Sequence, residues 1–218
     1  QTVIPYCTEL SDEARDIGCV NTLVVREDGT MIGHNTDIGG FIHMLNHAGI
    51  DPRGRKAAVL GSGGTSLTAR TALRRLGAKE IIVVSRQGPV DYDALYAQHS
   101  DVEILVNTTP VGMYPKNGVS AVDLDRLPNV IGVADVVYNP EKTALILAAQ
   151  AKGIPAVSGL PMLVAQAREA AEWFTGKSID PAVVSSICAQ IKSQTLNIVL
   201  IGMPGCGKSS IGRILADQ

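Results

Sequence analysis

From Lys56 onward the chain alternates short apolar runs with amphipathic stretches, and the first of these runs leads directly into a cluster of glycines. Residues 57–60, 80–85, 103–107, 130–137 and 154–157 read as strands, with helices over 66–76, 91–98 and 143–152. Strands that are apolar throughout need cover on both sides, and the helices between them supply it. The fold class that follows is α/β, a parallel sheet with helices on both faces.

The glycine cluster is Gly61-Ser62-Gly63-Gly64-Thr65-Ser66. Set between a strand and a helix, the first glycine permits a tight turn and the second lets backbone approach a pyrophosphate. The helix start then offers free N–H groups and the positive end of its dipole. Strand, loop, helix and next strand in this order are the context of a Rossmann-type dinucleotide loop, so Gly61, Ser62, Gly63, Gly64 and Thr65 are expected to hold the cofactor. At the end of the next strand an NAD site places an acid for the ribose hydroxyls. This chain has Ser85-Arg86-Gln87, and an arginine fork suits a 2′-phosphate. NADP is therefore expected, with a plain surface arginine as the alternative.

A second loop, Gly202-Met203-Pro204-Gly205-Cys206-Gly207-Lys208-Ser209, stands near the end of the chain. It follows an expected strand at residues 197–201 and precedes an expected helix at 210–216, and it matches the full Walker pattern. In such a loop Gly202, Gly205 and Gly207 shape a backbone cradle, Lys208 reaches the β- and γ-phosphates of ATP, and Ser209 binds Mg²⁺. Nine residues follow Ser209 and the chain opens on Gln1, which leads to the expectation of a piece of a larger protein with two activities.

Ahead of the sheet, Ser11 with Asp12 and Glu13 reads as the start of a short helix ended by Gly18. Residues 22–26 and 30–34 form a hairpin about Asp28-Gly29. Ile38, Phe41, Ile42 and Leu45 recur at helical spacing. Beyond the sheet, helices at 160–174 and 181–192 follow with no strand between them and are expected to pack back on another part of the molecule.

Bulk properties narrow the partners. A 218-residue chain with 45% apolar residues and a formal charge of −2 supports a globular core but offers no basic footprint for nucleic acid. Small-molecule ligands are expected instead. Cys7, Cys19, Cys188 and Cys206 show no CxxC spacing, which argues against a zinc site or a disulfide framework and fits a reducing cytoplasm. The longest apolar run, Val130 to Tyr138, is broken by Asp135, so no membrane span is expected.

Six stretches, in order, carry a family resemblance. They are Ile17-Gly-Cys-Val-Asn21-Thr, Gly33-His-Asn35-Thr36-Asp37-Ile-Gly-Gly, the first glycine loop, Leu105-Val-Asn107-Thr108-Thr109-Pro110-Val-Gly112-Met113, Asp135-Val-Val-Tyr138-Asn139-Pro140 and Gly159-Leu-Pro-Met162-Leu-Val-Ala-Gln166. From its first residue to about Gly176 the chain resembles shikimate dehydrogenase. That resemblance implies NADPH-dependent reduction of 3-dehydroshikimate to shikimate, in aromatic amino-acid biosynthesis. It also implies a division into a remnant of an α/β substrate domain with its linker helix (1–50), an NADP-binding Rossmann domain (51–158) and returning helices (159–192). Residues 193–218 resemble the opening of shikimate kinase, which acts on the dehydrogenase's product. ATP and Mg²⁺ belong to the intact parent of such a fusion.

Carried over by position, Asp37 is the acidic half of a Lys/Asp pair that handles the carbonyl proton, a role a lysine held by a carboxylate can fill. On its own, without the resemblance, Asp37 reads as a helix N-cap, and both roles can hold at once. Asn21, Gln166 and Asp37 would bind substrate with Tyr138 close by; taken singly, Asn21, Gln166 and Tyr138 read as structural polar groups. Gly159 and Met162 would line the nicotinamide end, and Asn107, Thr108 and Thr109 would lie along the cofactor. Lys142 reads as a solvated helix-start residue. In the family pattern the catalytic lysine stands immediately before the segment that begins here at Gln1, so the chain as given is expected to be inactive. The surface left by the rest of the substrate domain is a place where a homo-oligomer can form. Two other readings stay open: an NAD-dependent quinate/shikimate dehydrogenase, and a nucleotide-binding or assembly module without chemistry of its own.

Overall fold

The computed structural model describes residues 2–195 and 200–216. Among these residues, eight strands and eight α-helices fall into two sheets and the helices around them. The smaller sheet has the order β1-β3-β2, from Glu9–Leu10 (β1), Thr22–Val25 (β2) and Met31–His34 (β3). β2 and β3 form the expected antiparallel hairpin, with Thr22 opposite His34. Gly29 takes φ +82° at its tip, and Asp28 Oδ1 accepts from the Thr30 N–H at 2.9 Å. Helix α1, Asp12–Ile17, is capped by Ser11, whose Oγ accepts from the Ala14 N–H, and ends at Gly18 in the left-handed region. Strand β1 pairs in parallel with β3 and is too short to register as a periodic run.

The larger sheet is parallel throughout, in the order β5-β4-β6-β7-β8. Its strands are Lys56–Leu60 (β4), Glu80–Val84 (β5), Ile104–Asn107 (β6), Gly132–Asp135 (β7) and Ala156–Val157 (β8). Alternate residues face two cores. Ala57, Val59, Ile104 and Val106 join Phe41, Met44 and Leu73 on one side, while Ala58, Leu60, Leu105 and Val133 join Leu95, Leu145 and Ile146 on the other. Burial on both faces explains why these strands carry no polar alternation. The chain leaves β4 toward β5 and returns on the far side of β4 as β6, so a switch point opens at the ends of these strands, where such sheets bind ligands.

Helices α3 (Gly64–Arg75), α4 (Tyr92–Gln98) and α5 (Ala144–Ala151) are the crossovers, the last two capped by Asp91 and Thr143. Helix α3 starts at Gly64, two residues before the sequence pattern suggests, because Gly63 already acts as its N-cap. Strand β7 stops at Asp135, short of the expected 137. The Asp135 carboxylate accepts the Val137 N–H at 3.1 Å and turns the chain out of the ladder.

Helix α2 (Asp37–His47) lies against α6 (Leu160–Thr175), and α7 (Ala182–Thr195) packs on α6 through Leu160, Val164, Val184 and Cys188. Helix α6 thus lies on the N-terminal part of the chain, and α7 on α6. The expected strand at 197–201 falls at residues 197–199 outside the described residues, and Leu200 and Ile201 carry no strand. Helix α8 (Lys208–Ala216) follows, beginning two residues earlier than expected and without a buried residue. Among the described residues no helix is long and apolar enough to cross a membrane.

The α2–α6 contact depends on Gly39 and Gly40. A Cβ at residue 40 would stand 2.6 Å from Gln166 Cγ and 2.8 Å from the Met162 carbonyl oxygen, and one at residue 39 would stand 2.2 Å from Glu169 Oε2. Alanine is the better helix former by about 1 kcal/mol, yet overpacking against backbone costs about 1–3 kcal/mol. Gly40→Ala is therefore expected to lower Tm by several degrees in a thermal melt, whereas propensity alone would raise it.

Candidate functional site

Strand β4 delivers the chain to Gly61 at φ +104°, a conformation that side chains avoid. Its Cα faces β6's exit, where a Cβ would lie 2.9 Å from Thr108 Oγ1. Gly63 has open space where a Cβ would be, and Gly64 is the first residue of α3. The loop therefore presents bare backbone and a helix N-terminus at the switch point. Ser66 stands where the fingerprint has its last small residue; it is buried, and its Oγ has no hydrogen-bond partner.

Gly61, Ser62 and Gly63 form one wall of a cavity of about 910 Å³, with Ser85, Arg86 and Tyr92 on another side and Thr108 and Thr109 on a third. The turn after β5 is held by a hydrogen bond from the Ser85 N–H to the Val90 carbonyl, which leaves Arg86 at the cavity edge. Burial pushes the Tyr92 hydroxyl's pKa up, against the lowering effect of the nearby Arg86 charge. Thr65 lies in the first turn of α3. A pyrophosphate cradle at one end of this cavity and a guanidinium at its rim fit a dinucleotide that carries an extra phosphate on the ribose.

Thr108 and Thr109 also wall a second cavity of about 340 Å³, completed by Met113, Tyr114, Val136 and the half-exposed Tyr138. Asn107, expected along the cofactor, is buried, and its side chain is committed within the protein. Its Oδ1 accepts from the Thr109 N–H and Oγ1 at 3.1 and 2.7 Å, and its Nδ2 donates to Asp135 Oδ1 at 2.9 Å. The other Asp135 oxygen accepts from Thr143 Oγ1 at 2.7 Å. Burial holds the Asp135 carboxyl above its ordinary range despite these donors. Asn107 thus shapes the wall on which Thr108 and Thr109 stand. Asp135 and Thr143 are not among the residues expected at the site, although an acid inside an apolar strand is a signal that marks such a lock.

Gly159 precedes α6 with its Cα against β7's exit, where a Cβ would fall 2.0 Å from the Val136 carbonyl oxygen. Glycine is obligatory there. Met162 is buried, and its carbonyl and side chain meet Gly40 on α2, so it supports the helix pair rather than standing in either cavity.

Asp37 occupies the first turn of α2 and is not the N-cap. Thr36 holds that position without a side-chain bond, and Asn35 supplies the capping acceptor, its Oδ1 taking the Asp37 N–H at 3.0 Å. The Asp37 carboxylate is left free of the helix end, and Gln166 Nε2 donates to its Oδ1 at 2.8 Å from α6. Asn21 Oδ1 accepts from the Thr36 N–H at 3.0 Å and from Thr22 Oγ1 at 3.1 Å. Asn21, Asp37 and Gln166 therefore meet at one corner of the α2–α6 pair, while Tyr138 belongs to the wall of the smaller cavity. Burial pushes the Asp37 carboxyl up, the Asn21 amide beside it pulls it down, and the Glu169 charge pushes it up again.

In the second glycine loop, Gly205 and Gly207 take φ +80° and +81°. Lys208 Nζ donates to the Gly202 and Met203 carbonyls at 2.7 Å each and lies 3.6 Å from Cys206 Sγ. The ammonium is thus folded over the loop's own carbonyls. Ser209 follows in the first turn of the exposed α8.

An acid whose folded pKa is raised above its usual 3.8 favours its protonated form in the fold. Its contribution to stability is complete below that usual value and is lost as pH rises through the raised one. Asp37→Asn keeps an acceptor for Gln166 and removes the buried charge. The variant is expected to melt above the native chain near neutral pH, with the difference closing as pH falls below the ordinary carboxylate range; parallel melts across that range check it.

No protein-family model matches the chain. It is 36% identical over 198 residues to the shikimate dehydrogenase (NADP(+)) of Caldanaerobacter subterraneus subsp. tengcongensis, in a match that covers 83% of this chain and 70% of that protein. Among solved structures it resembles the chorismate mutase/shikimate 5-dehydrogenase fusion protein of Clostridium acetobutylicum, with a TM-score of 0.82 at 34% identity over 88% of this chain and 74% of that one. It also resembles the shikimate 5-dehydrogenase of Thermus thermophilus in complex with NADP(H) and shikimate, with a TM-score of 0.73 at 30% identity over 87% of this chain and 74% of that one. Identity at this level over more than two thirds of those proteins, joined to the parallel sheet and its glycine loop at the switch point, places the chain in the shikimate dehydrogenase family.

Proposed function

We propose that this chain carries the cofactor side and part of the substrate side of an NADP-dependent shikimate dehydrogenase, which reduces the ring ketone of 3-dehydroshikimate to the alcohol of shikimate. The observation that carries the reading is the hydrogen bond between Asp37 and Gln166, residues far apart in sequence that the resemblance assigns to one substrate. The cofactor supplies the hydride. Gly61, Ser62, Gly63, Gly64 and Thr65 hold its pyrophosphate on free backbone donors, and Ser85 with Arg86 recognises its 2′-phosphate. Thr108 and Thr109, set by Asn107, lie along it, and Gly159 lets β7's exit and α6 close behind its nicotinamide end, with Met162 in support.

Asn21 and Gln166 orient the substrate hydroxyls, and Tyr138 borders the substrate from the smaller cavity. The Asp37 carboxylate, held by Gln166, would pair with a lysine ammonium, the partner that the resemblance implies for it. That ammonium would deliver a proton to the ketone oxygen as negative charge gathers there. The proposed division is a substrate-domain portion at 1–50, the NADP domain at 51–158 and supporting helices at 159–192.

For residues 193–218 we propose the opening of a fused shikimate kinase. The support is the complete Walker pattern with Gly202, Gly205 and Gly207 in place, Lys208 at the start of α8 and Ser209 beside it. In that reading ATP and Mg²⁺ are ligands of the intact protein, and phosphorylation of shikimate by the full-length protein is the assay.

Two measurements test the dehydrogenase reading. Arg86→Asp is expected to weaken NADP by about 10- to 100-fold, the worth of one charge-assisted hydrogen bond to phosphate, and to leave NAD nearly unchanged in a calorimetric titration. Equal loss of both would remove the 2′-phosphate assignment. In the full-length protein Asp37→Asn should lower kcat/KM for 3-dehydroshikimate by about 10²- to 10⁴-fold, and undiminished NADPH consumption would reduce Asp37 to a structural residue.

A further inference from the structure

The wall between the two cavities has a hydrogen-bonding polarity of its own. Thr108 Oγ1 lies 2.6 Å from the Leu60 carbonyl oxygen, which also takes the Thr108 N–H at 2.9 Å. A carbonyl oxygen only accepts, so the Thr108 hydroxyl proton is spent there and the hydroxyl oxygen keeps its lone pairs. Thr109 reaches a similar state by another route. Its Oγ1 is 2.7 Å from Asn107 Oδ1 and accepts the Val111 N–H at 3.2 Å. The Asn107 amide has a single workable orientation, because the Thr109 N–H can only donate and so needs the oxygen end, which leaves the NH₂ end for Asp135. That orientation makes Asn107 Oδ1 the acceptor of the Thr109 hydroxyl proton as well. One lone pair of Thr109 Oγ1 remains.

Neither threonine therefore has a proton left for a guest. Both line both cavities, and Thr108 Oγ1 would be the nearest atom to a Cβ on Gly61, at 2.9 Å. Side chains that only accept disfavour phosphate oxygens, which also only accept, and favour hydroxyl or amide N–H groups. The position on the cofactor's path narrows the choice. Arg86 and the backbone of the Gly61 loop face the larger cavity, Met113 and Tyr138 face the smaller one, and the threonines stand between. With the 2′-phosphate at Arg86 and the pyrophosphate on the loop, the next part of a dinucleotide is its second ribose, which carries two hydroxyl donors.

We propose that Thr108 and Thr109 are specificity-determining residues that accept hydrogen bonds from the hydroxyls of the nicotinamide-side ribose, with Asn107 as the positioning residue that sets the polarity of Thr109. The proposal rests on the reading of this chain as a dinucleotide-binding dehydrogenase. Its signature differs from that of Arg86, since the second ribose is common to NAD and NADP.

Thr108→Val is the discriminating variant: the shape is nearly kept, and the Leu60 carbonyl retains the main-chain N–H of residue 108. In calorimetric titrations the variant is expected to weaken NADP and NAD by the same factor, about 3- to 10-fold, the worth of one hydrogen bond between neutral groups. Adenosine 2′,5′-bisphosphate, which has the adenine-side phosphates but no second ribose, should bind the native protein and the variant alike. Thr108→Ser keeps the hydroxyl and should hold both dinucleotides near native affinity. Undiminished dinucleotide binding by Thr108→Val would overturn the proposal. A loss confined to NADP, or an equal loss of the bisphosphate, would overturn it too, because the effect would then lie at the adenine end or in the fold. Failure of the folded native protein to bind either dinucleotide would defeat the dehydrogenase reading itself, and the proposal with it.

Discussion

The close approach of α2 to α6 governs the rest of the site. Two consecutive glycines on one helix make room for the other, since a methyl at Gly40 would meet the Met162 carbonyl as well as the Gln166 side chain and one at Gly39 would meet the Glu169 carboxylate. Through that contact the first fifty residues are fastened to a helix that begins after the last strand of the large sheet. Asp37 finds Gln166 and His34 finds Glu169 only because this seam is tight. The seam also seats Phe41, Met44 and Leu45 in the core that covers one face of the large sheet. Packing and polar geometry here are one constraint: loosening the helices by about an ångström would lengthen both hydrogen bonds beyond useful range.

Much of the fold was legible because the sheet is buried on both faces. Continuous apolar runs, the glycine loop and the cap at Ser11 are local signals, and local signals survive in a sequence. The ends of elements were less legible because side chains from elsewhere set them. Strand β7 stops where Asp135 captures a main-chain N–H, and the capping role expected of Asp37 falls to Asn35, which sits two residues earlier and reaches the Asp37 N–H. Strand β1 has two residues and pairs with a strand that is distant in the chain, so no periodicity announces it.

For the site, motifs indicated which residues matter more readily than what each side chain does. Asn107 stands in a recognisable motif, yet its amide is spent on Thr109 and Asp135. Met162 likewise stands in a motif and turns out to support the helix seam. His34 and Glu169 are far apart in sequence and flank no pattern by themselves. Their contact arises from tertiary packing, which single-sequence periodicity does not encode. A buried histidine between a hydroxyl and a carboxylate is visible only once the two helices and the hairpin are assembled.

The partition made by Thr108 and Thr109 has a thermodynamic consequence. These two residues face both cavities at once, and they stand on a chain of hydrogen bonds that runs from Asn107 through Asp135 to Thr143. Their conformational freedom is therefore surrendered when the protein folds, before any guest arrives. Occupants of the two chambers meet a wall that is already set, which spares each the ordering entropy that a mobile loop would exact on association. A change in that wall is felt from both sides, so the affinities of the two chambers are not free to drift independently as the sequence diverges.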